Sequence, residues 1–166
     1  MVEEHEALSQ NHTWDLVPRP VRANMVTRKW IFKHKLQADG SLEQYKARCV
    51  LRGFSQRPSV DFSETFNPMV KPATVRTVLS LALSRQWPIH LLDVKNAFLH
   101  GPLTETVYCM QPSRFEDPTH PDFVCRLNKS LYGLNQAPRA WYSQFATHLL
   151  SLGFQEAKSD TSLFVF

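Results

Sequence analysis

The stretch from Lys29 to Leu51 constrains the fold more than any other part of the chain. Lys29 to Gln37 alternates, with Trp30, Phe32, His34 and Leu36 on one face and Lys29, Ile31, Lys33 and Lys35 on the other. A period of two is the signature of a β-strand. Ala38-Asp39-Gly40-Ser41 then supplies a turn, and Asp-Gly between alternating runs is the strongest short hairpin signal. Leu42 to Leu51 returns as the partner strand. The expectation is a basic β-hairpin backed by aromatic residues.

Around this hairpin the other elements are shorter. Val2 to Gln10 is helix-permissive, and Thr13 to Val17 reads as a strand stopped by Pro18 and Pro20. Gly53 to Pro72 reads as a loop whose Phe54, Phe62, Phe66 and Met69 lie over the core. Thr74 to Arg85 is expected to be helical, capped by Thr74, with Val75, Val78, Leu79 and Ala82 on its apolar face. Trp87-Pro88 ends it. Ile89 to Val94 reads as a central strand, and Val107 to Met110 and Phe123 to Leu127 as two further strands. Pro138 opens a second helix with Trp141, Phe145, Leu149 and Leu152 as its buried stripe, and Gly153 ends it. Thr161 to Phe166 begins another β-rich run. Hairpin, helix, strand, two strands, helix, strand is the order of an α+β domain with a mixed or antiparallel sheet.

Composition bounds what such a domain can be. With 43% hydrophobic and 20% charged residues in 166, it suits a single folded domain and argues against global disorder. The net charge of +4 is unevenly placed. Arg19, Arg22, Arg28, Lys29, Lys33, Lys35, Lys46, Arg48, Arg52 and Arg57 are opposed in their stretch only by Asp39 and Glu43. Cys49, Cys109 and Cys125 show neither Cys-x-x-Cys nor zinc spacing, which favours a reducing, intracellular setting. The acidic start Met1-Val2-Glu3-Glu4-His5-Glu6 does not read as a targeting peptide, and no apolar run reaches transmembrane length.

Four groups of residues could carry chemistry. Asp93, at the end of an apolar run, could hold Mg²⁺, with the Val94 carbonyl as a second ligand; the plain alternative is a solvated strand-end carboxylate. A two-metal site needs more oxygens, around ions about 3.5–4 Å apart. Phe98 is either a core aromatic or a wall that leaves no room for a ribose 2′-hydroxyl. Lys33, Lys35, Lys46, Arg48 and Arg52 either protect a sheet edge or bind phosphate, with Trp30, Phe32 and Tyr45 near enough to stack on bases. In Leu131 to Tyr142, Gln136 stands just before the second helix, placed to donate to a ligand at a helix start. Neither a Gly-x-x-x-x-Gly-Lys phosphate loop nor a Gly-x-Ser-x-Gly nucleophile turn is present.

Taken in order, these segments resemble the reverse transcriptase domain of copia-type long-terminal-repeat retrotransposons. The residues carrying the resemblance are Asn11 to Val17, Tyr45-Lys46-Ala47-Arg48, Arg52-Gly53-Phe54 and Glu64-Thr65-Phe66-Asn67-Pro68. They continue with Leu92-Asp93-Val94-Lys95-Asn96-Ala97-Phe98-Leu99-His100-Gly101, Val107-Tyr108, Gln111-Pro112 and the Leu131 to Tyr142 run. The resemblance implies a right-handed polymerase: fingers over about 13–72, containing the 29–51 hairpin, and part of a palm over about 73–166. It makes Asp93 the first catalytic, metal-binding carboxylate, beside Val94. It makes Phe98 the gate against ribonucleotides and Gln136 a contact to the incoming nucleotide. Arg48 and Lys35 would hold the triphosphate, faced by the backbone amides of Asn96 and Ala97, while Lys33, Lys46 and Arg52 would meet nucleic acid.

The implied reaction is template-directed DNA synthesis on two Mg²⁺ ions, in which a primer 3′-hydroxyl attacks the α-phosphorus and pyrophosphate leaves. The implied partners are an RNA or DNA template-primer, dNTPs and the rest of a Pol polyprotein, with integrase upstream and the remaining palm and RNase H downstream. The implied setting is a cytoplasmic virus-like particle, without a membrane. The family's Tyr-x-Asp-Asp hairpin is expected shortly beyond Phe166, and no Asp-Asp pair occurs in these 166 residues. Asn135, Ser59 and Thr106 depart from residues common in the family, namely lysine, glycine and glutamate. The expectation is therefore a polymerase fragment without activity alone. The alternatives are a non-catalytic nucleic-acid-binding module and a degenerate transposon remnant.

Overall fold

The computed structural model describes residues 1–99 and 101–166; His100, part of the Asp93 motif, lies outside them. The chain forms helix α1 (Val2–Gln10), strands β1 (Trp14–Val17), β2 (Met25–Val26), β3 (Arg28–Leu36) and β4 (Leu42–Leu51), and helix α2 (Pro72–Ser84). There follow β5 (Tyr108–Met110), β6 (Val124–Leu127), α3 (Ala137–Ser151), β7 (Gln155–Ala157) and β8 (Asp160–Val165). Single 3₁₀ turns stand at Gly53–Ser55 and Ala97–Leu99.

The central sheet runs β1-β6-β5-β2. β1 and β5 are antiparallel to β6, and β2 is parallel to β5, so the sheet is mixed. β3–β4 and β7–β8 form separate antiparallel pairs. The core gathers where the base of the β3–β4 hairpin meets the sheet and the start of α3, at Leu8, Val26, Cys49, Leu51, Leu99 and Leu131.

The hairpin forms as the alternation predicts, with Trp30 opposite Cys49 and Lys33 opposite Lys46. Gly40 takes a positive φ of 85° at the turn, a conformation that suits glycine. Only the hairpin's base is covered: Phe32 is 66% and Tyr45 77% exposed, so the aromatic backing ends near Trp30.

Several expectations are corrected. Ile89 to Val94 is not a strand: it pairs with no strand among the described residues, and Leu91 is 98% exposed. An apolar run becomes a strand only where a neighbour takes up its backbone hydrogen bonds. Helix α2 begins at Pro72, with Lys71 at its N-cap, and proline at the first turn explains the shift. Thr74 instead donates its hydroxyl to Asp160 Oδ2 at 2.6 Å, and the expected apolar face of α2 buries only Ala82.

On α3 the buried residues are Ala137 and Ala146. The expected stripe forms a shallower cluster, in which Trp141 stacks on Phe145 and Phe145 meets Phe164 edge-on. The 53–72 loop is held by polar contacts rather than by Phe54, Phe66 and Met69, which are exposed. Buried Asp61 accepts hydrogen bonds from Asn24 Nδ2 and from the Arg57 amide, each at 2.6 Å.

Candidate functional site

Beyond α2 the chain runs without regular structure to a turn at Lys95-Asn96. Asn96 has a positive φ of 55°, and its carbonyl accepts the Leu99 amide at 2.8 Å, closing the 3₁₀ turn. Fully buried Leu99 anchors that turn, and Phe98 packs against the edge of the core.

This turn faces β4 and α1. Asp93, Val94, Asn96, Ala97 and Phe98 line a cavity of about 610 Å³ together with Lys46, Arg48, Glu4 and Tyr132. A second cavity of about 360 Å³ shares Lys46, Arg48 and Tyr132 and adds Lys33 and Lys35. Carboxylate, aromatic wall and basic strand thus meet although some 45 residues separate them in sequence. Lys35 Nζ pairs with Glu43 Oε1 at 2.8 Å on the exposed face of the hairpin.

Two predicted residues stand apart. Arg52 follows β4 and lines neither cavity. Gln136 is 3% exposed and bonded at both ends of its amide: its Nε2 donates to the Asp61 carbonyl at 3.0 Å, and its Oε1 accepts from Gln56 Nε2 at 2.9 Å. It borders a different cavity, alongside Glu64, Arg139 and Gln144. In this arrangement Gln136 ties the 53–72 loop to the start of α3.

Three features are not evident from the sequence. Tyr132 is central to the site: its hydroxyl donates to Asn96 Oδ1 at 3.2 Å, and the Arg48 guanidinium lies 5.3 Å from its ring centroid. The Leu131 to Tyr142 run carries the signal, an aromatic set directly before a glycine. Glu4 of α1 brings a carboxyl to the cavity; burial raises its pKa above the ordinary value, and its Oε1 has no hydrogen-bond partner among the described residues. The third feature is a buried group around Arg28, which donates to Cys125 Sγ at 3.1 Å and to Cys49 Sγ at 3.8 Å and lies over the Trp14 ring.

Among the described residues no cluster of three or more His, Cys, Asp or Glu side chains is placed to hold a metal ion. One carboxylate, Asp93, and one backbone carbonyl, Val94, are fewer oxygens than the octahedral shell that magnesium takes. No helix among the described residues is long and apolar enough to cross a membrane.

Comparison with known proteins agrees with the motifs. Residues 11–166 match the family model described as reverse transcriptase (RNA-dependent DNA polymerase). The chain is 54% identical over 166 residues to the retrovirus-related Pol polyprotein from transposon RE2 of Arabidopsis thaliana, covering 99% of this chain and 11% of that protein. The corresponding protein from transposon RE1 of the same plant is 52% identical over 166 residues, with the same coverage. That from transposon TNT 1-94 of Nicotiana tabacum is 46% identical over 164 residues, covering 99% of this chain and 12% of that protein. The chain thus spans about a tenth of the length of these curated relatives. No solved structure matches it.

Proposed function

The chain belongs to the reverse transcriptase (RNA-dependent DNA polymerase) family, among the copia-type retrotransposon Pol polyproteins, and we propose that it supplies the fingers and part of the palm of such a polymerase. In this reading residues 13–72 are the fingers, with the 29–51 hairpin at their centre, and residues 73–166 contribute to the palm. The 610 Å³ cavity takes the incoming dNTP. The observation that carries the reading is the convergence on that cavity of Asp93, Phe98, Lys46 and Arg48 from two distant segments.

Within it, Arg48 and Lys46 grip the triphosphate, with Lys33 and Lys35 extending the positive surface along the hairpin. The amides of Asn96 and Ala97 face the phosphates. Phe98 bars a 2′-hydroxyl. Asp93 and the Val94 carbonyl would be this chain's oxygen ligands for Mg²⁺, which when bound would supply charge neutralisation to the phosphates. Gln136, apart from this cavity, holds the loop that carries Asp61. Template-primer, the remaining Pol segments, including integrase and RNase H, and a cytoplasmic virus-like particle complete the proposed setting.

Equilibrium binding of a dNTP in the presence of Mg²⁺ tests the assignment. Binding weakened at least tenfold by Lys46→Ala with Arg48→Ala is expected; unchanged affinity in the double variant would refute it. A second reading, a nucleic-acid-binding module without catalysis, is favoured by exposed Phe32 and Tyr45, which flank the Lys33–Lys46 pair on either side. Binding of single-stranded nucleic acid that falls steeply with salt and needs no divalent ion would select it.

A further inference from the structure

Tyr132 touches three groups to which the proposed function gives separate tasks. Its hydroxyl donates to Asn96 Oδ1 at 3.2 Å. Its ring meets Phe98 edge-on, with centroids 6.0 Å apart and planes at 87°. The Arg48 guanidinium carbon stands 5.3 Å from the ring centroid, within cation–π range. Tyr132 is itself held firmly, because its carbonyl accepts the Leu51 amide at 2.7 Å. The next residue, Gly133, has a φ of 89° and packs so tightly that a Cβ would collide with the Leu51 carbonyl oxygen.

We propose that Tyr132 is a positioning residue that fixes Phe98 and Arg48 relative to each other, and so couples exclusion of the ribose 2′-hydroxyl to the grip on the triphosphate. The proposal rests on the nucleotide reading of the cavity. Two levers leave the same side chain. The hydroxyl acts through Asn96, whose left-handed φ of 55° asparagine adopts more readily than other non-glycine residues and whose side chain the Tyr132 bond holds in place. The Asn96 carbonyl starts the turn that carries Phe98, so loosening Asn96 loosens the gate. The ring face acts on Arg48 directly. Burial pushes the Tyr132 phenol above its ordinary value, so the hydroxyl keeps its proton and donates at neutral pH.

The levers separate in a binding experiment on the whole 166-residue chain with Mg²⁺. The ligands are dGTP, GTP and inorganic tripolyphosphate, which has no sugar. The native chain is expected to prefer dGTP to GTP. Tyr132→Phe keeps the ring and loses the hydroxyl. It should cut the dGTP/GTP preference about threefold while tripolyphosphate affinity stays constant. Tyr132→Leu should also weaken tripolyphosphate binding about threefold. Melting curves for both variants separate these effects from a loss of fold. An unchanged dGTP/GTP ratio in Tyr132→Phe, or equal affinity of the native chain for dGTP and GTP, would overturn the proposal while leaving a phosphate-binding cavity in place. A native chain that binds none of the three ligands removes the nucleotide reading itself, and this proposal with it.

Discussion

Half-buried Arg28 and buried Cys125 form a pair, the guanidinium Nη2 standing 3.1 Å from Sγ. No carboxylate forms an ion pair with this arginine among the described residues; its polar side-chain partners are thiols. Cys109 lies directly opposite Cys125 across β5 and β6. A hydrogen bond from the Cys109 thiol, and then the charge of Arg28, pull the Cys125 thiol down to about 7 against the opposing effect of burial.

The pair makes stability depend on pH near neutrality. An acid whose folded pKa is depressed contributes stability that is present above its unfolded pKa, here near 9, and is lost as pH falls through about 7. Cys109 and Cys49 are shifted upward, Cys109 by its bond to Cys125 and Cys49 by burial, so they oppose stability only above about 9. The urea midpoint is expected to rise between about pH 6.5 and about pH 8.5, by on the order of 1 kcal/mol in unfolding free energy. Cys125→Ser should flatten that rise. A midpoint independent of pH in the native chain would contradict the pairing.

Two glycines with positive φ are expected to behave differently. Gly40, at the hairpin turn, has no atom within 4 Å of the place a methyl group would take, so Gly40→Ala costs only the left-handed strain, about 1 kcal/mol. At Gly133 the same strain is joined by collision with the Leu51 carbonyl, and Gly133→Ala should cost more than about 3 kcal/mol. Thermal melts of the two variants side by side check the difference, and equal losses would mean that the β4–Gly133 approach is not tight.

Glu4 is a third point of leverage. Its carboxyl is raised by burial, so its charged form opposes folding: its favourable contribution is present below the ordinary carboxylate value and lost as pH rises. Glu4→Gln should therefore raise the melting temperature at neutral pH. Removing a negative charge from a cavity shared with Lys46 and Arg48 should also tighten tripolyphosphate binding. A variant that melts lower and binds more weakly would show Glu4 to be structural.

The chain alone is expected to incorporate no nucleotide on a template-primer with Mg²⁺ or Mn²⁺, since its described residues group no set of metal-holding side chains around Asp93. Primer extension is the measurement. Incorporation abolished by Asp93→Ala would show a complete catalytic centre and contradict this expectation.

The sequence disclosed what is local. Alternation and an Asp-Gly turn specify the β3–β4 hairpin within twenty-odd residues, and the Asp93 and Leu131 motifs announce the family. What depends on distant partners was not legible. Ile89 to Val94 has strand composition but, among the described residues, no strand beside it. Gln136 stands at a helix start in the sequence, and only the fold shows its amide bonded to Gln56 and Asp61, some 75 to 80 residues earlier. β2, with two residues, and β7, with three, are too short for any periodicity to mark. Tyr132 is one aromatic among many in the sequence, and only the fold sets Asn96, Phe98 and Arg48 around it.

The contact between Leu51 and Tyr132-Gly133 has a consequence for exchange between related elements. The hairpin looks like a detachable arm, but the end of β4 is keyed to a segment eighty residues later by an amide hydrogen bond and by a glycine that admits no methyl group. A chimera that takes residues 28–51 from one relative and 131–137 from another must match both halves of that lock. Recombination that divides them yields arms that fit only their own shoulders.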